Sequence, residues 1–317
     1  IGVLNTVDFG NQNAMVANAS YFFTTRTSAT LAVADLNRPD VYNLGTFAAL
    51  NHSMGPLTLY GQHMTTRDTS QGAGHRYNLG AFYQGGGIVG ALEYLEISPD
   101  FLPRLGFAPE RDFRGLSGFF NYVRPVTWGR ISEYGLGASA QVFDRFDGSL
   151  YRRRVGADGS ITMRDRLSLA VGYQSEEFFG FKDSIYFFSL QKPRRDPYRS
   201  WQISYSTGTI AGQSYRSIQP RLNLRPLPKL QLSASYQRVS HFDLQEQLIL
   251  SANYDMGDSD AISGRLIRRN DDTNFYLAFR RAGNKGNEYY LIVGDPNART
   301  FRTSIILKVV MPFEVRF

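Results

Sequence analysis

The sequence predicts an all-β protein, a single transmembrane antiparallel β-barrel. Three observations support this prediction. Apolar and polar residues alternate with a period of two over segments of about ten residues, which suits strands that cross a bilayer with one face toward lipid. The polar face is rich in Gly, Ser, Gln, Asn and Arg, as expected for a wet lumen. The 317 residues contain no apolar run long enough for a membrane-spanning helix, which takes about 20 residues.

The clearest alternation lies at the end of the sequence, in residues 301–317. One row of alternate residues is apolar almost throughout and ends in Phe313, Val315 and Phe317. The other row is largely polar. Because successive side chains of a strand point to opposite faces, we predict a terminal strand whose outer face meets lipid and which takes part in membrane insertion.

Similar segments recur along the whole chain, with turn-like sequences such as NRPD at 37–40 between them. The predicted strands are 2–9, 14–25, 29–36, 42–52, 57–66, 77–84, 88–97, 113–123, 131–143, 150–155 with 161–163, 167–174, 184–190, 201–206, 213–224, 230–239, 248–254, 262–269, 274–281, 289–293 and 301–317. We estimate about eighteen strands, within a range of sixteen to twenty, and an even number is typical of bacterial barrels.

A soluble antiparallel sandwich also shows alternation, but its strands are typically about five or six residues long. The longer segments here favour the barrel, in a bacterial outer membrane. One barrel uses the whole of residues 1–317. Residue 1 is Ile rather than Met, so we expect a signal peptide, and consider a soluble N-terminal domain, before this numbering.

The composition favours some classes of binding partner and argues against others. The net charge is +7, but the basic residues are spread along the chain, so nucleic acid is not expected as a partner. Outer-membrane lipids, including lipopolysaccharide, or an anionic solute fit this charge better. The absence of Cys suits an oxidising compartment and, with only four His, argues against a structural zinc site. No metal and no cofactor is expected.

The acidic run at 255–260 has carboxylates spaced as in a calcium loop. It lacks the final Glu of an EF-hand and joins two predicted strands. We therefore predict a solvated hairpin turn.

Basic side chains are predicted on the lumen face by the same alternation. The candidates are Arg265, Arg269, Arg280, Arg302 and Lys308. Because an uncompensated charge in a narrow pore is costly, we expect them to pair with Asp or Glu across the lumen. Paired arginines at strand ends have another interpretation, in which they extend toward lipid phosphates.

The most irregular stretch reads SPDFLPRLGFAPERDFR and spans 98–114. Its three prolines interrupt any strand, so it is predicted to be a structured loop. We expect Phe101 and Phe107 to fold back on the barrel mouth or lumen wall, and the charged side chains to form a salt-bridged network. The residues of this loop motif are Ser98, Pro99, Asp100, Phe101, Pro103, Gly106, Phe107 and Arg111.

This run resembles the signature of a family of bacterial outer-membrane proteins of unassigned function. The opening IGVLNT, the NRP turn and the closing GRLIRRNDDTNFYLAFR and ILKVVMPF also resemble that family's barrel. Its members carry a carbohydrate-binding-like sandwich, similar to family 9 modules, before a C-terminal barrel. The resemblance implies that this chain is the barrel part. It implies no known reaction, and any glycan binding belongs to the sandwich domain.

An enzymatic role is not expected. A rim hydrolase would draw on His63, His75 or His241, and Ser240 and Asp243 flank His241 in sequence. Neighbouring residues of a strand point to opposite faces, so Ser240 and His241 do not readily share a proton. We favour two other functions over an enzymatic role. The first is a porin-like channel or membrane anchor, linked to glycan handling or solute uptake. The second is a plugged barrel that serves as a scaffold for an envelope assembly.

Overall fold

The computed structural model describes residues 2–8, 12–104, 110–127, 129–193, 196, 198–283, 286–295 and 297–311. This part of the chain contains twenty β-strands and no α-helix. The strands are β1 Gly2–Asp8, β2 Gln12–Thr24, β3 Thr27–Arg38, β4 Val41–Met54, β5 Leu57–Asp68, β6 Gly72–Gly85, β7 Ile88–Ile97, β8 Phe113–Pro125, β9 Ile131–Asp144, β10 Leu150–Met163, β11 Ser168–Phe178, β12 Phe181–Lys192, β13 Ser200–Ile210, β14 Gln213–Leu227, β15 Leu230–His241, β16 Asp243–Asp255, β17 Asp260–Arg269, β18 Asp272–Ala282, β19 Glu288–Val293 and β20 Ile305–Val310.

From β1 to β8 and from β12 to β20, strands that follow one another in sequence pair antiparallel. The pair β15–β16, for example, runs in register from Leu230 opposite Tyr254 to His241 opposite Asp243. The all-β antiparallel prediction is therefore confirmed, and twenty strands is the upper end of the expected range. In the described ranges no helix is both long and apolar enough to cross a bilayer.

Short hairpin turns keep this register. Between β6 and β7 the turn is Gly86-Gly87, and both residues have positive φ, 61° and 81°. Such a two-residue turn matches the right-handed twist of the flanking strands and is open to Gly without steric cost.

Most strands extend a few residues beyond their predicted bounds, and two differ in more than length. The predicted pair of short strands at 150–155 and 161–163 is one continuous strand, β10, because the intervening Gly156-Ala157-Asp158-Gly159 stays extended within the ladder. The last strand begins at Ile305 rather than Phe301. The Phe301 amide instead donates to the Thr273 carbonyl, and the Phe301 ring stacks on Phe275.

The chain divides into two compact units, which we describe separately. Unit 1 comprises Ile1–Pro125, Gly135–Gly159 and Gln174–Asp183, and unit 2 comprises Val126–Tyr134, Ser160–Tyr173 and Ser184–Phe317. Unit 1 holds one small hydrophobic cluster. Its buried members are Ile97, Phe101, Phe113, Phe143 and Tyr151. In the described part of unit 2, the only buried apolar residue is Ala278.

Large apolar side chains lie mostly on the exposed face of the sheet. In unit 1 the paired strands align one such row across β2–β8, with small residues between the large ones: Tyr21, Ala29, Leu50, Gly61, Leu79, Tyr94 and Leu116. In unit 2 a row across β14–β20 is made of Leu224, Leu232, Ala252, Gly264, Leu277, Val293 and Ile305. The exposed fraction is 63% for Leu31 and 79% for Leu307.

The adjacent rows, one residue along each strand, are polar. In unit 2 the row from β14 to β18 is Asn223, Ser233, Ser251, Arg265 and Tyr276. We call the surface that carries these rows the polar face, and the surface that carries the leucines the apolar face. The sheet thus has little apolar core and a wide exposed apolar surface.

Candidate functional site: the polar face of the sheet

Cations lie at three levels along the polar face of β17 and β18 in unit 2. Arg265 and Arg269 are four residues apart on β17, and Arg280 on β18 is opposite Ala261, four residues before Arg265. With a rise of about 3.3 Å per residue, neighbouring levels are roughly 13 Å apart. The cations therefore run from one end of these strands to the other.

The level of Arg280 is charge-balanced. Its guanidinium lies 3.7 Å from the Glu288 carboxylate on the next strand, and the Tyr290 hydroxyl donates to the same carboxylate over 2.6 Å. The Lys308 ammonium lies over the Tyr290 ring, 5.6 Å from its centroid. Arg280 and Lys308, both predicted on the lumen face, thus share one polar cluster.

At the opposite end, Arg269 lies between Gln247 and Asp272 in register. The Gln247 amide, with its oxygen turned toward Arg269, accepts from the guanidinium over 3.0 Å. Asp272 forms an ion pair with Arg299. The end levels are therefore surrounded by polar and acidic groups.

Arg265 differs from both. In the parts of the chain that the structure describes, no carboxylate lies within 4 Å of it, and its buried Nε has no hydrogen-bond partner. Its neighbours in register are Ser251 and Tyr276, which carry hydroxyls.

The remaining basic candidate, Arg302, lies in the connection before β20 and is exposed, so it is not part of a strand face. Where acids accompany the predicted cations, they come from neighbouring strands, as Glu288 does for Arg280. Phe313, Val315 and Phe317 lie outside the described residues.

The irregular loop of unit 1 folds onto the polar face. Phe101 is 1% exposed and joins the cluster of Ile97, Phe113 and Phe143. Its backbone lies so close to Gly74 that a Cβ there would overlap it. The expected fold-back of Phe101 is therefore observed, while Gly106 and Phe107 lie outside the described residues.

Buried polar groups of β4 and β5 hold this loop. The Asn43 amide nitrogen donates to the Leu102 carbonyl over 2.8 Å, and its oxygen accepts from the Arg104 amide over 3.1 Å. Thr66 Oγ1 accepts from the Leu102 amide over 3.0 Å. Asp68 accepts from the Arg104 guanidinium over 2.5 Å and 3.2 Å. These three side chains of Asn43, Thr66 and Asp68, which we call the latch, hold the backbone of the loop and pair with its Arg104 charge.

The far end of the loop is also fixed by strand and turn residues rather than by charges within the loop. Arg145 donates to Asp112 over 2.9 Å, and Arg152 pairs with Glu110 over 3.2 Å. Arg111 donates to Gln71 rather than to an acid. Ser98, at the start of the motif, is buried, and its hydroxyl accepts from the His75 amide.

A second connection, between β19 and β20 in unit 2, is anchored in the same way. Asn274 is 1% exposed and donates to the carbonyls of Asp295 and Ala298 over 2.9 Å and 2.8 Å. Each unit therefore uses a buried asparagine of the polar face to bind the backbone of a long connection.

Two of the histidines share one aromatic contact, because the rings of His63 and His75 both pack against Tyr77, and His75 also pairs with Glu96 over 2.9 Å. His241 contacts the Ile210 carbonyl. Around these three, the described contacts include no serine hydroxyl bonded to a histidine ring. The described residues also contain no group of three or more His, Asp or Glu side chains that could hold a metal.

The acidic run at 255–260 forms the hairpin turn between β16 and β17. The amides of Met256 and Gly257 donate to the Asp260 carbonyl. The Asp260 carboxylate lies 3.6 Å from Arg281.

The buried polar residues of the latch were not among the sequence candidates. Asn43, Thr66 and Asp68 come from two strands and meet a loop more than thirty residues away. Each fits the alternation of its strand as an ordinary polar-face residue. Only the folded register shows that they converge.

Comparisons with known proteins gave a structural likeness at low sequence identity. No family model matches the chain, and no curated protein matches it. Among solved structures, the chain is similar to the P pilus usher (PapC) translocation pore, at 11% sequence identity and a TM-score of 0.44. The match covers 87% of this chain and 58% of the usher chain, so this chain spans less than two thirds of that protein's length.

Proposed function

We propose that the chain forms a transmembrane β-barrel in a bacterial outer membrane and acts there as a channel or membrane anchor. The observation that supports this most strongly is the inverted distribution of side chains. Leucines and aromatics lie on the exposed face, while Asn, Ser and Gln line the other.

In water such a surface would be unstable. Full burial of one large apolar side chain is worth about 1.5–3 kcal/mol, and soluble monomers rarely expose apolar patches beyond a few hundred Å². The aligned rows across β2–β8 and β14–β20 form continuous apolar surfaces, which are far larger than the surface of a single exposed leucine. Lipid contact removes this cost, because the apolar face then meets hydrocarbon.

Strand length supports the same proposal. A tilted strand needs about 9–11 residues to cross the hydrocarbon region. Seventeen of the twenty strands, β2–β18, have 10–15 residues. Their ends then extend into the interfacial regions, where loops such as 98–112 begin.

The polar face would line the lumen of such a barrel. Its Arg-bearing wall in unit 2 suits passage or binding of an anionic solute. The resemblance to outer-membrane proteins with a carbohydrate-binding-like domain adds a context for the proposal, an envelope protein linked to glycan handling or solute uptake.

One observation favours the alternative, a plugged scaffold for an envelope assembly. In unit 1 the irregular loop covers part of the polar face, with Phe101 buried and Arg104 latched to Asp68. A loop fixed by buried hydrogen bonds is a permanent obstruction rather than a transient one.

Single-channel recording separates the two functions. The refolded protein is inserted into planar bilayers in KCl, with folding checked by circular dichroism. Steady conductance with a preference for anions is the expected result. No conductance from a folded and inserted protein would contradict the channel and favour the scaffold.

A further inference from the structure

A single transverse row of the polar face in unit 2 combines one cation with several unused donors. The row runs across β14–β18 and consists of Asn223, Ser233, Ser251, Arg265 and Tyr276. The hydroxyls of Ser233, Ser251 and Tyr276 form no hydrogen bond to another residue in the described ranges. The Asn223 amide at the edge of the row donates to Ser200 over 3.0 Å, so the unused donors are the three hydroxyls and the Arg265 Nε.

Arg265 is the one cation of the three levels without a described partner. Arg280 has Glu288, and Arg269 has Gln247 and Asp272 beside it. Those acids belong to levels roughly 13 Å away along the strand, too far to pair with Arg265. Its Nε is buried and unpartnered.

An unpaired charge that is partly withdrawn from water is costly, and the cost is removed by an opposite charge with good hydrogen-bond geometry. A guanidinium presents a planar fork of donors that matches the two oxygens of a carboxylate or phosphate. Hydroxyls on either side supply further donors to the same oxygens. Every unused group in this row therefore suits an oxyanion.

We infer that the polar face of β15–β18 holds a binding site for a small oxyanion, phosphate or carboxylate, centred on Arg265 with Ser233, Ser251 and Tyr276 as neutral donors. The inference deepens the proposed channel function, on which it rests, by naming the solute class of its lumen wall. The site lies wholly within unit 2 and midway between the other two cation levels.

The test is ligand-dependent thermal stability of the detergent-solubilised protein. Apparent melting temperatures at a fixed scan rate are compared in phosphate, acetate and chloride at equal ionic strength. We expect phosphate, well above its dissociation constant, to raise the value for the unmodified chain by about 2–4 °C. Acetate tests the carboxylate arm in the same way.

Two variants of the chain test whether the rise in melting temperature depends on Arg265. Arg265→Gln removes the fork but keeps polarity, and Arg281→Gln removes an exposed arginine from the apolar side of β18. Because phosphate also stabilises proteins by exclusion from their surface, the decisive quantity is the difference between variants. Arg281→Gln should keep the rise and Arg265→Gln should lose it. In chloride Arg265→Gln should melt no lower than the unmodified chain.

An equal phosphate rise in Arg265→Gln, or no rise in the unmodified chain, would overturn the site. Bilayer recording tests the channel separately. If the protein does not conduct but the phosphate rise still depends on Arg265, the channel fails and the oxyanion site stands. If it conducts but Arg265→Gln changes neither anion preference nor melting in phosphate, the channel stands and the site fails.

Discussion

Arg104 Nε donates to Asp68 Oδ2 over 2.5 Å and joins the β7–β8 connection to the polar face of β5. The Asp68 side chain is completely buried, whereas that of Arg104 is 31% exposed. Hydrogen bonding to Asp68 raises the pKa of the Arg104 guanidinium above its usual value. The guanidinium is therefore charged at any working pH, and the strength of the latch depends on its acceptor.

Replacing that acceptor should release the loop. In Asp68→Asn the shape is kept, but the charge-assisted hydrogen bonds to Arg104 are lost, and such bonds are worth more than neutral ones. We expect trypsin to cleave after Arg104 about tenfold faster or more. Mass spectrometry of timed digests measures the rate.

Asp40→Asn is the matched control, since Asp40 is an exposed carboxylate in the β3–β4 turn. It should leave the cleavage rate unchanged. An Asp68→Asn protein that is cleaved at the unmodified rate would show that the latch does not hold the loop.

Close packing of the loop on Gly74 makes a second prediction. A Cβ at Gly74 would overlap the Phe101 backbone, so Gly74→Ala must displace the loop or the strand. Overpacking of this kind costs about 1–3 kcal/mol, and we expect a melting temperature several degrees lower. Gly264→Ala is the control, because its Cβ would meet Leu277 at an ordinary 3.5 Å. Equal melting temperatures of the two variants would contradict close packing of the loop on Gly74.

Asn274 should stabilise the β19–β20 connection of unit 2, as the latch stabilises the loop of unit 1. In Asn274→Asp the shape is kept, but the donor to the Asp295 and Ala298 carbonyls becomes an acceptor. We expect the free energy of unfolding in urea to fall by about 1–3 kcal/mol. The deficit should narrow at low pH, where a protonated carboxyl regains one donor. Asn253→Asp, at an exposed position, should have little effect, and equal losses in both variants would count against the anchor.

Charge placed on the apolar face should be costly only if that face meets lipid. Leu31 is 63% exposed, so Leu31→Arg would be nearly neutral on a soluble sheet. In a bilayer we expect a loss of about 2–4 kcal/mol in the free energy of unfolding. Ala32→Arg, on the opposite face of β3, is the matched control. Urea titration of the protein in lipid vesicles gives both values, and a neutral Leu31→Arg would argue against lipid contact.

Much of the fold follows from the period-two pattern. Each predicted strand overlaps an observed one, since alternation such as that of Leu248–Tyr254 is compatible only with an extended chain that has one apolar face. Strand ends were harder to predict, because hydrogen bonding to Thr273 and stacking on Phe275 keep Phe301 out of β20.

The candidate site was predictable only in part. Alternation places Arg265, Arg269, Arg280 and Lys308 on the polar face, but the charge balance of each depends on its partner in register. Glu288 reaches Arg280 because β19 pairs with β18 in one particular alignment. The latch of Asn43, Thr66 and Asp68 depends on contacts between distant segments, which no local pattern records.

Lipid contact of the apolar face is the central claim, and site-directed labelling tests it most directly. The chain has no Cys, so single cysteines can be introduced without background. Leu250 and Ser251 are adjacent on β16 and lie on opposite faces. A fluorophore is attached at Leu250→Cys or Ser251→Cys in the protein reconstituted in vesicles.

We predict quenching of the Leu250 label by brominated lipid and little quenching by aqueous iodide, with iodide the stronger quencher of the Ser251 label. Strong iodide quenching and no lipid quenching at Leu250 would contradict a membrane barrel. It would mean that the apolar face is open to water.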